Sequence, residues 1–315
     1  MYNNAMKILK KWFLGFLSFI LLFLLATFIF HRICLEKEKA SLTPMGQQVL
    51  VNGHQINVYV EGDGPETIVV LSGAGIASPI LDFKEVSESL SKQYKVVIVE
   101  RAGYGYSDDS NHSRDVMEVL SETRQALSQA NITGPFIILS HSMASLESLA
   151  WQEKYPDEVK ALIGLDWALP SSYEDLKDSQ AFLAVAYWTS KIGLLRYFPE
   201  SFYTKNPTLT ESERKQYKLL AYKQLMSQAM LHESQTVKEN AKKVPSNINP
   251  KIPTLLLVSN GQDTSFSQSE WQRYAEKFAS DQSNVKVIYM DVPHDLYHYQ
   301  SHEVVSRIED FLKSN

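Results

Sequence analysis

Six apolar runs punctuate the chain at Thr67–Leu71, Lys95–Val99, Pro135–Leu139, Ala161–Leu165, Pro253–Val258 and Val285–Met290. Between them lie segments of helical pattern near Asp82–Ser91, Arg114–Ala130, Met143–Tyr155, Gln268–Ala279 and His302–Lys313. Strands that are apolar on both sides must be covered on both faces, so the pattern predicts a mostly parallel central sheet flanked by helices. Ahead of these runs, "VLVNGHQINVYVEG" places Asn52-Gly53 between two alternating segments. That is the signature of a two-residue hairpin, which adds antiparallel strands at one edge. The alternation breaks once. Residues 168–248 contain no strand pattern, only helical segments rich in aromatics and punctuated by Pro199 and Pro207. An insertion of that size between two strands is a lid or a second small domain.

The amino-terminal segment differs in kind. Trp12–Phe30 carries no charge and follows Lys7, Lys10 and Lys11. As a helix it would be roughly 28 Å long, close to the hydrocarbon thickness of a bilayer. The run ends Phe-Ile-Phe-His-Arg, without the small residues of a signal cleavage site, and Ile33 before Cys34 does not fit a lipid-modified cysteine. The expectation is a single-pass anchor over 12–30. The lysines ahead of it favour a cytoplasmic 1–11 and an extracytoplasmic body. Residues 31–46 read as a polar linker, 47–167 and 249–315 as two parts of one α/β core, and 168–248 as the insertion.

Composition excludes some alternatives. The net charge of −5 and the lack of a long basic run argue against nucleic acid as a partner. Cys34 is the only cysteine, so no intrachain disulfide can form, and no Cys/His cluster has zinc spacing. His294, His298 and His302 recur every four residues, but no H-E-x-x-H pattern accompanies them. Neither a metal nor a cofactor is expected.

Ligands of parallel sheets bind beyond the carboxyl ends of the strands. Ser142, in "ILSHSMASLES", follows the run ending at Leu139 and opens a helical segment. A serine on that turn would project its Oγ, and the N–H of Met143 would point into the same space. The G-x-S-x-G pattern of such a turn stands here as Ser140-x-Ser142-x-Ala144, with the smallest substitutes at both glycines. Asp263 follows the run ending at Val258, and His294 follows the last run. Taken singly, each is an ordinary turn or surface residue; in the chain order Ser, Asp, His they form a nucleophile, acid and base set. Asp166, at the end of "LIGLD", is the runner-up acid. His141 is expected to be structural, because neighbours diverge on a sharp turn.

These features resemble the α/β-hydrolase family over residues 47–313. "VVLSGAG" is similar to its strand followed by His-Gly, with Ser72 in place of His. "VERAGYGYSD" resembles its D-x-x-G-x-G-x-S segment, with Glu100 for Asp. The resemblance implies Ser142 as nucleophile, Asp263 as acid and His294 as base. It also implies Ala74 and Met143 N–H groups as an oxyanion hole and the insertion as a helical cap. A serine disfavours the relatives that use an aspartate nucleophile, such as haloalkane dehalogenases and epoxide hydrolases. The implied activity is hydrolysis of a carboxylic ester, small or lipid-like, through an acyl-enzyme. Two alternatives stay open: an amide- or aminopeptide-cleaving relative, and an inactive ligand-binding protein whose elbow is distorted by Ser140 and Ala144. Trp167, Tyr173 and Trp188 are the candidate pocket residues of the cap.

Overall fold

The computed structural model describes residues 2–177, 180–204 and 206–315. Met1, residues 178 and 179, and Lys205 therefore lie outside the described parts of the expected N-terminal and cap segments. The chain runs α1 (Tyr2–Glu38), β1 (Gln47–Val51), β2 (His54–Glu61), β3 (Thr67–Leu71), α2 (Pro79–Asp82), α3 (Lys84–Leu90), β4 (Lys95–Glu100), α4 (Val116–Gln129), β5 (Phe136–His141), α5 (Ser145–Lys154) and β6 (Val159–Leu165). It continues α6 (Ser172–Asp175), α7 (Gln180–Ile192), α8 (Glu211–Gln224), α9 (Gln228–Ala241), β7 (Thr254–Val258), α10 (Gln268–Ala279), β8 (Val285–Tyr289), α11 (Leu296–Tyr299) and α12 (Ser301–Lys313).

The eight strands form one sheet in the order β1-β2-β4-β3-β5-β6-β7-β8. β1 and β2 pair antiparallel, with Val51 opposite His54. The turn between them holds Asn52 at φ 50 and Gly53 at φ 86, the double left-handed conformation that Asn-Gly favours. β2 joins β4 antiparallel, and every later pairing is parallel. Alternate residues of β3 serve opposite faces, as a pleated strand requires. Val69 and Leu71 pack with Leu120, Trp151 and Phe278 on one side. Ile68 and Val70 pack with Phe83, Leu90, Ile308 and Phe311 on the other. Every residue of β3 and β5 is buried, so the middle of the sheet, from which the site projects, is fully covered.

Among the described residues of 168–248 there is no strand. This insertion, α6 to α9, docks on the loops that leave the carboxyl ends of β3 and β4. Asn206 Nδ2 donates to Leu81 O at 2.8 Å, and Tyr217 Oη donates to Asp82 Oδ1 at 3.3 Å. Asp109 accepts the N–H groups of Gln228 and Ala229 that open α9, at 2.9 and 3.0 Å.

One expected boundary moves. Residues 31–38 are not a linker but continue α1, and a 3-10 turn follows at Lys39–Ser41. The reason lies in partners remote in sequence. Arg196 of the insertion donates to His31 Nδ1 at 2.9 Å and grips both Glu38 oxygens at 2.8 and 2.6 Å. α1 is long and apolar enough to cross a bilayer by length and composition.

Candidate active site

β5 ends at His141, and the next residue, Ser142, has φ 53. A left-handed conformation at a residue with a side chain is strained, and it turns the chain sharply from strand into the 3-10 turn Ser142–Ala144 and then α5. The loop after β3 runs directly against this turn. A Cβ added at Gly73 would lie 3.0 Å from the Ser142 Cβ and 2.8 Å from His141 Nδ1, so only glycine fits. The two substituted glycines are absorbed differently. Ala144 packs in the core. Ser140 is wholly buried, and its hydroxyl accepts from Ser148 Oγ at 2.7 Å and from the Trp167 indole at 2.8 Å. A buried hydroxyl with partners avoids the penalty of an unpaired one.

Ser142 Oγ lies 2.8 Å from His294 Nε2, and His294 Nδ1 lies 2.5 Å from Asp166 Oδ2. A carboxylate can only accept, so Nδ1 carries the proton and the Nε2 lone pair faces the serine hydroxyl. Asp166 is fully buried at the end of β6, held at φ 47. Its Oδ1 accepts from the Ser259 N–H at 2.7 Å and the Trp271 indole at 2.8 Å, and its Oδ2 accepts from Ser259 Oγ at 2.6 Å. These donors fix the direction in which the carboxylate points. The carboxylate that bonds His294 Nδ1 is therefore the runner-up of the sequence expectation. Asp263 lies in an exposed turn at φ 67, while Asp166, the runner-up, bonds Nδ1. His294 itself is set by its backbone, whose N–H donates to Gln262 O at 3.0 Å.

A family model described as the alpha/beta hydrolase fold matches residues 67–192. The chain is 32% identical to the uncharacterized protein YbdG of Bacillus subtilis, over 98% of each chain. The chain belongs to the α/β-hydrolase fold family. It is also similar to the 2-(acetamidomethylene)succinate hydrolase of Mesorhizobium japonicum, at 25% identity across 47% of this chain and 58% of that one. An epoxide hydrolase from Vigna radiata superposes with a TM-score of 0.65 at 15% identity, over 85% of this chain and 97% of that one, which bears on the fold alone.

Around the α/β-hydrolase elbow, buried charged and polar groups brace the site. His141 is buried with its ring 4.6 Å from that of His294, and its Nε2 lies 3.3 Å from His294 O. Burial, and then the neighbouring His294, lower its pKa to about 4, so it stays neutral and supportive. Arg101 is buried between three parts of the site. Its guanidinium lies 3.5 Å from Glu147 on α5, 3.5 Å from Glu233 on α9 and 3.4 Å from the Gly73 carbonyl. It ties the loop beside the elbow to the helix behind it and to the insertion above. Glu100, where the family segment has Asp, has its pKa raised to about 7 by burial, opposed by bonds from the Tyr106 N–H and Asn57. The contacts of Arg101 with Glu147 and Glu233 join elements far apart in sequence, so spacing could not have pointed to them.

The three expected pocket residues sit in different surroundings. Trp167 is buried, and its indole N–H braces Ser140. Tyr173 is buried in the core cluster. Trp188 is exposed on α7, its ring edge against Tyr187. Ala74 sits in the exposed turn after Gly73, and Met143 in the first turn after the strand, where N–H groups have no acceptor within a helix. The three spaced histidines do not align, because α11 and α12 are separate. His298 instead lies 3.4 Å from Asp82. A different group, His54, His112 and Glu122, brings its ligand atoms within 4.8 Å of one another. One Glu122 oxygen already bonds Arg114 at 2.5 Å, which offsets the charge a cation would use.

Proposed function

We propose that the chain is a membrane-anchored serine hydrolase that cleaves carboxylic esters through an acyl-enzyme on Ser142. The observation that carries this reading is the chain of hydrogen bonds from Ser142 through His294 to Asp166, at 2.8 and 2.5 Å. His294 Nε2 takes the hydroxyl proton as Oγ attacks the acyl carbon. Asp166 keeps the proton on Nδ1 and stabilises the imidazolium that forms. The oxyanion is met by the N–H groups of Met143 and Ala74. Protonated His294 gives that proton to the departing alcohol and, neutral again, takes one from the water that attacks the acyl-enzyme and frees the acid. The helical insertion serves as the cap over this site, residues 12–30 as the anchor, and the body faces away from the cytoplasm.

An amide-cleaving reading stands beside the ester one, because the Mesorhizobium relative is named for an acetamido compound. Turnover of p-nitrophenyl esters of increasing chain length, set against aminoacyl nitroanilides, separates the two. The ester reading expects turnover of the esters, lowered on the order of 10⁶-fold by Ser142→Ala. Turnover of the nitroanilides alone would replace it with the amide reading, and a Ser142→Ala rate near wild type would end both.

A further inference from the structure

α7 is an inside-out helix. Its sequence, QAFLAVAYWTSKI, is mostly apolar, yet its only buried residue is Ser190. Phe182, Val185 and Trp188 are 70%, 64% and 60% exposed. Phe198 and Phe202 stack on each other nearby in sequence and are exposed as well. A soluble protein leaves single apolar residues at its surface, but a concentration of large ones on one element marks a surface with a partner.

The partner is indicated by what this face adjoins. The covered side of α1 recurs at helical spacing through Ile20, Leu24, Thr27, His31, Cys34, Leu35 and Glu38, and the insertion covers it. Two of the contacts fall inside the uncharged run. The Phe23 ring lies 6.2 Å from that of Tyr197, and Thr27 Oγ1 lies 3.5 Å from Tyr197 Oη. Whatever depth Phe23 and Thr27 occupy, Tyr197 occupies too. From Phe23 to the end of the run at Phe30 is about 10 Å along the helix, the depth to which interfacial elements sink into a bilayer. Above that level Arg32 is exposed on α1, a cation suited to headgroup phosphates, and Trp and Tyr favour the same boundary.

We propose that the exposed aromatic face of the insertion, from Phe182 to Phe202, is a lipid-binding surface seated in the outer boundary of the bilayer that α1 crosses. The proposal rests on the anchor reading and extends it: the protein is held by a helix and also laid on the membrane by its insertion. The insertion roofs the carboxyl end of the sheet, so the entrance to Ser142 is kept at the lipid surface. Acyl substrates can then enter from the bilayer without crossing water.

The test uses the full-length chain with Cys34→Ser, reconstituted in phosphatidylcholine–phosphatidylglycerol vesicles. Single cysteines at Val185→Cys and Phe202→Cys, and at Lys251→Cys beside the amino end of β7 as control, carry an environment-sensitive fluorophore. The expected result is quenching by a doxyl group high on the acyl chain about threefold stronger at Val185 and Phe202 than at Lys251, with iodide quenching in the reverse order. Iodide quenching at Val185 equal to that at Lys251, in protein that resists a carbonate wash, would overturn the proposal. Loss of the protein in the wash would instead overturn the anchor reading on which it stands. Shielding from iodide without doxyl quenching, lost on dilution into excess lipid, would mean that a second copy covers the face, and would also overturn it. As a functional arm, Phe182→Ser with Val185→Ser should keep turnover of a short soluble ester within about twofold, which shows the fold intact. It should lose about tenfold on a long-chain ester carried in the vesicles. Equal loss on both substrates would contradict a role in lipid access.

Discussion

Replacing Asp166 with Asn tests the least expected part of the site. Asp166 Oδ1 faces two N–H donors, Ser259 and Trp271, at 2.7 and 2.8 Å. An amide nitrogen cannot occupy that position without setting donor against donor in a buried place, so Asn must keep its oxygen there. Its NH₂ then takes the Oδ2 position, 2.5 Å from His294 Nδ1. Nδ1 is forced to accept, the ring proton moves to Nε2, and the atom that should receive the serine proton already holds one. A wrong tautomer of this kind lowers kcat on the order of 10⁴-fold, which is about 5 kcal/mol of barrier. KM for p-nitrophenyl acetate should change little, since Asp166 is buried below the histidine. The assay compares kcat for wild type, Asp166→Asn and Asp263→Asn, with thermal melts to show that each folds. A loss under tenfold for Asp166→Asn, or a larger loss for Asp263→Asn, would refute the tautomer reasoning.

Gly73→Ala should lower kcat on the order of 10²-fold and destabilise by about 1–3 kcal/mol, because its Cβ must push the oxyanion loop or the elbow aside; kinetics and urea midpoints check both. His141 is neutral when folded, with a pKa of about 4, but titrates near its usual 6.5 when unfolded. As pH falls from 6.5 to 4 the unfolded chain gains the proton first, so the native state loses up to about 3 kcal/mol. His141→Asn should therefore show a shallower acid limb in urea midpoints measured between pH 7 and 4; parallel limbs would count against it. Ser140→Gly should keep activity within a few-fold, since the Trp167 indole retains the Ser140 carbonyl at 3.1 Å, and should cost about 1 kcal/mol in a melt.

Much of the fold was legible because its signals are local. The Asn52-Gly53 turn, the helix Gln268–Ala279 and the strand Thr67–Leu71 stand where periodicity places them. Ser142 and His294 were legible because both follow strands that the apolar runs define. The acid was not. Asp166 and Asp263 each follow a strand, and the one that reaches Nδ1 is decided by the path of Ser259 and the indole of Trp271, contacts more than ninety residues from Asp166. The same limit explains α1. Its last turns carry Glu36, Lys37 and Glu38 and look like a solvated linker, until Arg196 supplies the partner. The aromatics of residues 168–248 were legible as apolar mass but not as inward or outward. Composition does not say whether the medium around a helix is water or lipid.

The central claim is that Ser142 is an activated nucleophile. Full-length protein treated with a fluorophosphonate and digested for mass spectrometry tests it most directly. One adduct on Ser142 is predicted, absent from Ser142→Ala and strongly slowed in His294→Ala. A folded protein that takes up no label at Ser142, or that labels equally well without His294, would contradict the account.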